Sequence, residues 1–283
     1  MIQVVNANRV RKIIARYRKN KLTVGFVPTM GALHEGHLSL VRCSRRMSDL
    51  TVVSIFVNPT QFNDPNDLEK YPRNPERDVK KLSPLLSEND IIFSPDVSEI
   101  YPEPDTRVFD LDPLDKIMEG KFRPGHFNGV AQVVSRLFEI ILPDRAFFGS
   151  KDFQQVAVIR KLMDILHMPV DIISCPVIRE KDGLAMSSRN QLLSKEARKE
   201  APLIYTTLKM AAEKAGDIPV EQLRKLVTLK INQSHYLKLE YFEIVRKDTL
   251  MPVRTWDEPA GIQACIAVWA GNVRLIDNIA LTE

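Results

Sequence analysis

Along the first two thirds of the chain, apolar residues switch between short unbroken runs and runs spaced three and four apart. Residues 22–28, LTVGFVP, are nearly all apolar and β-rich. After a turn, Leu38, Val41, Arg45 and Met47 continue as helix, and residues 50–58, LTVVSIFVN, return to strand. Strand, helix and strand in that order make a βαβ unit, which implies parallel pairing with a right-handed crossover. Further on, VKKLSPLLSE predicts a helix carrying an awkward Pro84, and DIIFSP predicts a short buried strand. GVAQVVSRLFEIIL (129–142) has the i, i+3, i+4, i+7 spacing of a helix; RAFFG reads as strand, QQVAVIRKLMDIL as helix and VDIISCPVI as strand. Repeated units with almost continuous apolar strands predict a doubly wound α/β domain.

From about Ile178 the pattern changes. A polar loop, REKDGLAMSSRN, precedes helices near 195–214 and 219–233. Then come the extended LEYFEIVR and a hairpin, IQACIAVWAGNVRLIDNIAL, turning at Gly271-Asn272. Antiparallel pairing there predicts a smaller C-terminal α+β domain, so the expected division is 1–178 and 179–283. Between the second strand and the next helix, residues 58–78 (NPTQFNDPNDLEKYPRNPERD) form a Pro-punctuated stretch. So long a connection within a compact domain is either disordered or a working lid. Its departure from the carboxyl end of a strand, where open α/β sheets bind ligands, favours the lid.

Composition narrows the partners. The chain has 283 residues, 44% hydrophobic and 27% charged, with a formal net charge of +4, a mild excess that suits an anionic small molecule without implying nucleic acid. In RVRKIIARYRKNK, Val10, Ile13 and Ile14 recur at helical spacing, so the basic residues read as a solvated helix face. Cys43, Cys175 and Cys265 are odd in number and form no C-x-x-C pair, which points to a reducing compartment. With no membrane-length apolar run and no signal-peptide pattern at the start, a soluble cytoplasmic protein is expected.

The chemistry concentrates at strand ends. His34 and His37 stand three apart at the head of the first crossover helix, beside backbone N–H groups and the positive end of the helix dipole, a setting that welcomes anions. Thr29 adds a hydroxyl, while Gly31 and Gly36 let the backbone approach a ligand. H-E-G-H lacks the four-residue spacing of a zinc-binding H-E-x-x-H helix, and His37-Leu38 replaces the Lys-Ser/Thr of a P-loop. Two structural histidines in a turn remain the bland alternative. FFGSKDFQQ places Gly149, Lys151, Asp152 and Gln155 just after a buried strand. Ser187, Ser188 and Arg189 offer two hydroxyls and a guanidinium suited to phosphoryl oxygens, although Ser-Ser-Arg-Asn can equally cap a helix.

In order, VPTMGALHEGH, SIFVNPTQF, RPGHFNGV, FFGSKDFQQ and AMSSRN resemble the pantoate-β-alanine ligase family along essentially the whole chain. H-x-G-H and M-S-S-R separately resemble the signatures of the wider nucleotidyltransferase superfamily that includes class I aminoacyl-tRNA synthetases. The resemblance implies a Rossmann-like N-terminal domain binding ATP and pantoate, a C-terminal α+β domain closing over ATP, and a homodimer. It also implies that ATP, (R)-pantoate and β-alanine become pantothenate, AMP and pyrophosphate through a pantoyl adenylate, with Mg²⁺ accompanying ATP and its protein ligands unassigned. Carried over by position, Met30, Gly31, Ala32, Leu33, His34, Glu35, Gly36 and His37 belong to the ATP site, the histidines facing phosphates and His37 carrying the catalytic emphasis. Lys151 holds phosphate oxygens, Gly149 and Asp152 lie near the ribose, Ser150 belongs to the ATP site, and Ile178 sits by adenine. Ser187, Ser188 and Arg189 fasten the β and γ phosphates, and Met186 beside them belongs to the ATP site. Gln61 and Gln155 clamp pantoate, with Asn58 assisting; Arg123 and His126 either guard that pocket or brace a loop. Ser150 stands where the family commonly has Glu. A nucleotidyltransferase that leaves AMP or CMP on a phosphorylated small molecule is the rival within enzymes. No RNA-recognition signature supports a nucleic-acid partner.

Overall fold

Strands β1 (Ile2–Val4), β2 (Val24–Thr29), β3 (Leu50–Ile55), β4 (Ile91–Phe93), β5 (Arg145–Gly149) and β6 (Asp171–Cys175) form one parallel sheet, ordered β1-β4-β3-β2-β5-β6. The computed structural model describes residues 1–62, 68–69 and 71–282. It falls into two compact units, Met1–Ser150 with Gln154–Pro176, and Lys151–Phe153 with Val177–Glu283. The first unit is the Rossmann-like domain, and every strand expected there is present. The edge strand β1, three residues long, carries too short an apolar signal to be read in advance.

Seven helices accompany this sheet among the described residues: α1 (Ala7–Lys19), α2 (Glu35–Met47), α3 (Pro75–Leu82), α4 (Val97–Ile100), α5 (Met118–Phe122), α6 (His126–Ile141) and α7 (Phe153–Leu166). Alternation along β2 sends neighbouring side chains to opposite faces. Val27 joins a core with Leu33, Val41 and Leu82, whereas Phe26 meets Phe138 of α6 edge to face at 5.9 Å. The helix expected around Pro84 instead begins at Pro75, capped by the Asn74 side chain accepting from Arg77 N at 3.0 Å, and ends at Leu82. Proline lacks the N–H that would continue it and crowds the carbonyl four residues back.

The chain before α5 is tied to α6 by one carboxylate. Asp105, its side chain fully buried, accepts from Arg107 Nη2 at 2.6 Å and Arg136 Nε at 2.9 Å. The bond from Arg107 foremost, then that from Arg136, holds its carboxyl well below the usual range. Because the folded value is depressed, the stabilisation is present above the unfolded value of about 4 and is lost as pH falls below it. Asp105→Asn is expected to cost about 2–3 kcal/mol at pH 7, discounted from a fully buried pair because both guanidiniums are partly exposed. Thermal unfolding followed at pH 7 and pH 3 checks this: the gap between mutant and wild type must shrink in acid.

In the second unit, β7 (Leu237–Arg246), β8 (Ile262–Ala270) and β9 (Val273–Ala280) form an antiparallel sheet ordered β7-β8-β9. The hairpin turns at Gly271-Asn272, with Gly271 at φ +59°. Helices α8 (Lys195–Glu200), α9 (Leu203–Glu213) and α10 (Val220–Asn232) accompany the sheet, where Leu208, Val227, Ile244 and Ile266 share one apolar core. The single helix expected over 195–214 is split at Pro202, for the same reason as at Pro84. The three cysteines are free thiols, and among the described residues no helix is long and apolar enough to cross a membrane.

Candidate functional site

In the first unit the chain connections run in opposite directions on either side of the β2–β5 pair, a topological switch point where α/β sheets open a crevice at the strand carboxyl ends. The pairing Gly25↔Arg145 and Phe26↔Ala146, continued along both strands, brings Thr29 level with Gly149. The turn after β2 and the end of β5 therefore border the same crevice.

That turn is bent sharply. Gly31 and Ala32 both have positive φ, +83° and +49°, and a Cβ on Gly31 would also meet Asp78 Oδ2 at 3.0 Å. Asp78, 2% exposed in the first turn of α3, accepts from Ala32 N at 2.9 Å and Leu33 N at 2.7 Å. Lys81, one turn further along α3, donates to the Leu33 carbonyl. A buried carboxylate and a lysine thus fasten three successive peptide units.

His34 and His37 form a reciprocal cap at the start of α2. His34 Nδ1 accepts from Gly36 N at 3.2 Å, His37 Nδ1 accepts from His34 N at 3.3 Å, and the ring centroids lie 4.1 Å apart. The arrangement parallels the capping box built by Ser/Thr and Glu/Gln, with imidazoles in both places. Since each Nδ1 is an acceptor, the hydrogen of each neutral ring sits on Nε2. The structural reading of these histidines and the chemical one are therefore compatible: the cap fixes the tautomer that presents an N–H donor.

Of the residues expected to take pantoate, Gln61 contacts Met30. Gln61 Nε2 donates to Met30 Sδ at 2.8 Å, and Gln61 Oε1 accepts from Asn58 Nδ2 at 3.3 Å. Asn58 is buried and committed: Nδ2 also donates to the Gly129 carbonyl at 3.1 Å, while Oδ1 accepts from Thr60 Oγ1 and from the Tyr101 hydroxyl at 3.0 Å. It braces Gln61. A Cβ on Gly129 would lie 2.3 Å from the Thr60 carbonyl, so α6 reaches this loop only because residue 129 has no side chain.

Arg123 and His126 brace it too. Arg123 Nη1 donates to His126 Nε2 at 3.0 Å, which leaves the hydrogen on Nδ1 to be donated to the Gln61 carbonyl at 2.8 Å. Glu119 stands 3.9 Å behind Arg123. On α7, Gln154 is locked by bonds to the Leu114 and Ile117 carbonyls and to Glu119 N. Its neighbour Gln155 is only half-buried. The two adjacent glutamines therefore differ in burial and bonding, which sequence alone does not reveal. The lid expectation over residues 63–78 falls partly on residues 63–67 and 70, which lie outside the described residues.

In the second unit, Lys151 Nζ stands 3.4 Å from Asp152 Oδ1. The loop after Ile178 folds back on itself: Met186 N donates to the Ile178 carbonyl at 2.9 Å, and Arg179 bridges to Ala185. Ile178 is thereby placed at the base of the Ser187-Ser188-Arg189 segment. Ser187 Oγ accepts from Arg189 N at 3.2 Å, capping the 3₁₀ turn Ser188–Leu192; a hydroxyl that accepts still has its own hydrogen to donate. Arg179 is held bidentately by Asp277 at 2.6 and 3.0 Å and lies over the Tyr205 ring at 3.6 Å. Burial pushes the Asp277 carboxyl up, against the pull of Arg179. Among the described residues, no three His, Cys, Asp or Glu side chains cluster to hold a metal.

Comparison with known proteins bears on the chain as a whole. A family model described as pantoate-beta-alanine ligase matches residues 3–280. The pantothenate synthetase of Porphyromonas gingivalis is 50% identical over 270 residues, covering 95% of each chain, and that of Bacteroides thetaiotaomicron is 51% identical over 260 residues, covering 92% of each. The crystal structure of the Thermus thermophilus enzyme superposes with a TM-score of 0.93 at 41% identity over the full length of both chains. The Francisella tularensis pantoate-beta-alanine ligase, solved with beta-gamma ATP and beta-alanine, superposes at 0.82 with 35% identity, covering 99% of this chain and 98% of that one.

Proposed function

The chain belongs to the pantoate-beta-alanine ligase family, and from that premise we propose how its residues condense (R)-pantoate with β-alanine, consuming ATP and yielding pantothenate, AMP and pyrophosphate. The reaction proceeds in two displacements. An oxygen of the pantoate carboxylate attacks the α-phosphorus of ATP, the bond to the bridging oxygen breaks, and pyrophosphate leaves with its electron pair. The β-alanine amine then attacks the acyl carbon of pantoyl adenylate, loses a proton, and expels AMP.

Such a site needs no protein nucleophile, because the substrate supplies one. Its residues have to align carboxylate with phosphorus, which can be worth about 7–11 kcal/mol, and neutralise charge as it moves onto pyrophosphate. The reciprocal imidazole cap carries this reading: two Nε2–H donors, locked in tautomer, beside a helix N-terminus at the switch point. By their places in the family's motifs, Lys151, Ser187, Ser188 and Arg189 take phosphate oxygens, with Gly149 and Asp152 near the ribose and Ile178 by adenine. Mg²⁺ bound with ATP would take its ligands from oxygens and would supply charge neutralisation at the phosphates. The enzyme works as a cytoplasmic homodimer.

Gln61 and Gln155 take pantoate. The thioether that now receives Gln61 Nε2 is a weak acceptor, so an incoming carboxylate displaces it readily. A neutral amide also leaves the carboxylate nucleophilic where a lysine would blunt it. Gln155→Ala is expected to raise the KM for pantoate about 10- to 100-fold, the worth of a hydrogen bond to a charged group, with a much smaller change in kcat. Steady-state kinetics at saturating ATP read the split.

Exchange of labelled pyrophosphate into ATP tests the whole scheme. It must occur with pantoate present and β-alanine absent; folded protein that catalyses net synthesis without any such exchange would exclude the adenylate.

A further inference from the structure

Three polar side chains are buried in the β8–β9 hairpin, Gln263, Asp277 and Asn278, each less than 7% exposed in an otherwise apolar region. Buried amides are costly unless their hydrogen bonds are made, and these are made in a chain. Gln263 Nε2 donates to Asn278 Oδ1 at 2.7 Å, and Asn278 Nδ2 donates to the Lys151 carbonyl at 2.9 Å. The neighbouring Asp277 holds Arg179, whose Nη1 also donates to the Gly183 carbonyl at 3.2 Å inside the 178–189 loop. Two adjacent residues near the end of the chain thus grip both segments assigned to the triphosphate within the second unit.

We propose that Asn278 is a positioning residue for Lys151. Its amide fixes the peptide from which the lysine side chain departs, and so fixes where the ammonium, at the end of a flexible four-carbon stem, is delivered. The Asn278 amide does both at once, its oxygen receiving Gln263 and its NH₂ donating to the Lys151 carbonyl. A carboxylate at the same place would set like partial charges together. The proposal rests on the assignment of Lys151 to phosphate oxygens. A displacement of about 1 Å in such a group can cost on the order of 100-fold in rate, so a hydrogen bond remote from the reacting atoms suffices to matter.

The test is a double-mutant cycle on the full-length protein, with a non-hydrolysable ATP analogue as the titrated probe and thermal unfolding recorded for every variant. Asn278→Ala is expected to weaken binding about tenfold or more, and to add little once Lys151→Ala is present, because the first acts through the second. The paired variant Gln263→Leu with Asn278→Leu removes both side-chain partners and is expected to recover most of the lost stability while binding the analogue as weakly as Asn278→Ala. Wild-type affinity in the paired variant, or additive losses in the cycle, would overturn the proposal and leave a merely structural cluster. Wild-type affinity in Lys151→Ala would overturn the assignment of that lysine and the proposal with it, whereas loss there beside wild-type affinity in Asn278→Ala overturns the proposal alone.

Discussion

His37→Ala is expected to slow pantoate-dependent pyrophosphate exchange by about 10²- to 10³-fold, the usual cost of removing one donor aimed at developing charge, with a much smaller change in ATP affinity. Two effects are superimposed in that variant. Its Nδ1 also receives His34 N, and losing a cap costs about 0.5–2 kcal/mol of stability. His37→Gln separates them, since a glutamine at the third helical position reaches back to the N-cap amide as in an ordinary capping box. It should melt close to wild type and still be slow. Exchange restored by glutamine would mean that the imidazole is only a cap.

The second large effect is expected at Asp78, a residue that touches no reacting atom. Each backbone N–H held by a carboxylate is worth about 1.5–3 kcal/mol, and Asp78 holds two, at Ala32 and Leu33. Asp78→Ala should therefore destabilise the first unit by about 3–6 kcal/mol, a large part of the roughly 5–15 kcal/mol available to a folded chain. Of the molecules that still fold, the turn with positive φ at Gly31 and Ala32 loses its restraint, and exchange falls with it. Asp78→Asn keeps one acceptor oxygen but turns an N–H₂ toward a backbone donor; it should retain more stability than alanine without recovering wild-type exchange. Denaturant unfolding and exchange assays on the same samples check both. Asp78→Ala with wild-type unfolding would show that the two short hydrogen bonds carry no weight.

His37 and Asp78 also show how far the sequence can be read. His37 stands in a motif whose residue types announce anion chemistry at a strand-to-helix turn. Asp78 is one of two acids in NPERD, and nothing local distinguishes a carboxylate that will be buried from Glu76, exposed in the same helical turn. The same holds for Gln154 and Gln155, adjacent and identical in type, of which one is locked into the loop before α5 and the other is only half-buried. Asn58, Arg123 and His126 were legible as members of motifs, and bracing a loop was one of two readings of Arg123 and His126; that Gln61 is the residue braced was not legible.

The elements themselves were open to reading because period and turn chemistry are local. Unbroken apolar runs became the parallel strands, three-and-four spacing became the helices, and Gly271-Asn272 became the hairpin turn. Departures came where one proline outweighed a favourable periodicity, at Pro84 and Pro202, or where an edge strand was too short to show a period. By itself, then, the order of residues determined the βα alternation, the antiparallel end, the family and the motifs from which the site is proposed. Tertiary structure alone decided which side chains are pinned and which are presented, since that depends on hydrogen bonds between groups far apart in the chain: Asp78 to Ala32, His126 to Gln61, Asn278 to Lys151. A buried polar group must find a partner wherever the fold brings one, and no pattern of neighbours along the chain records where that is.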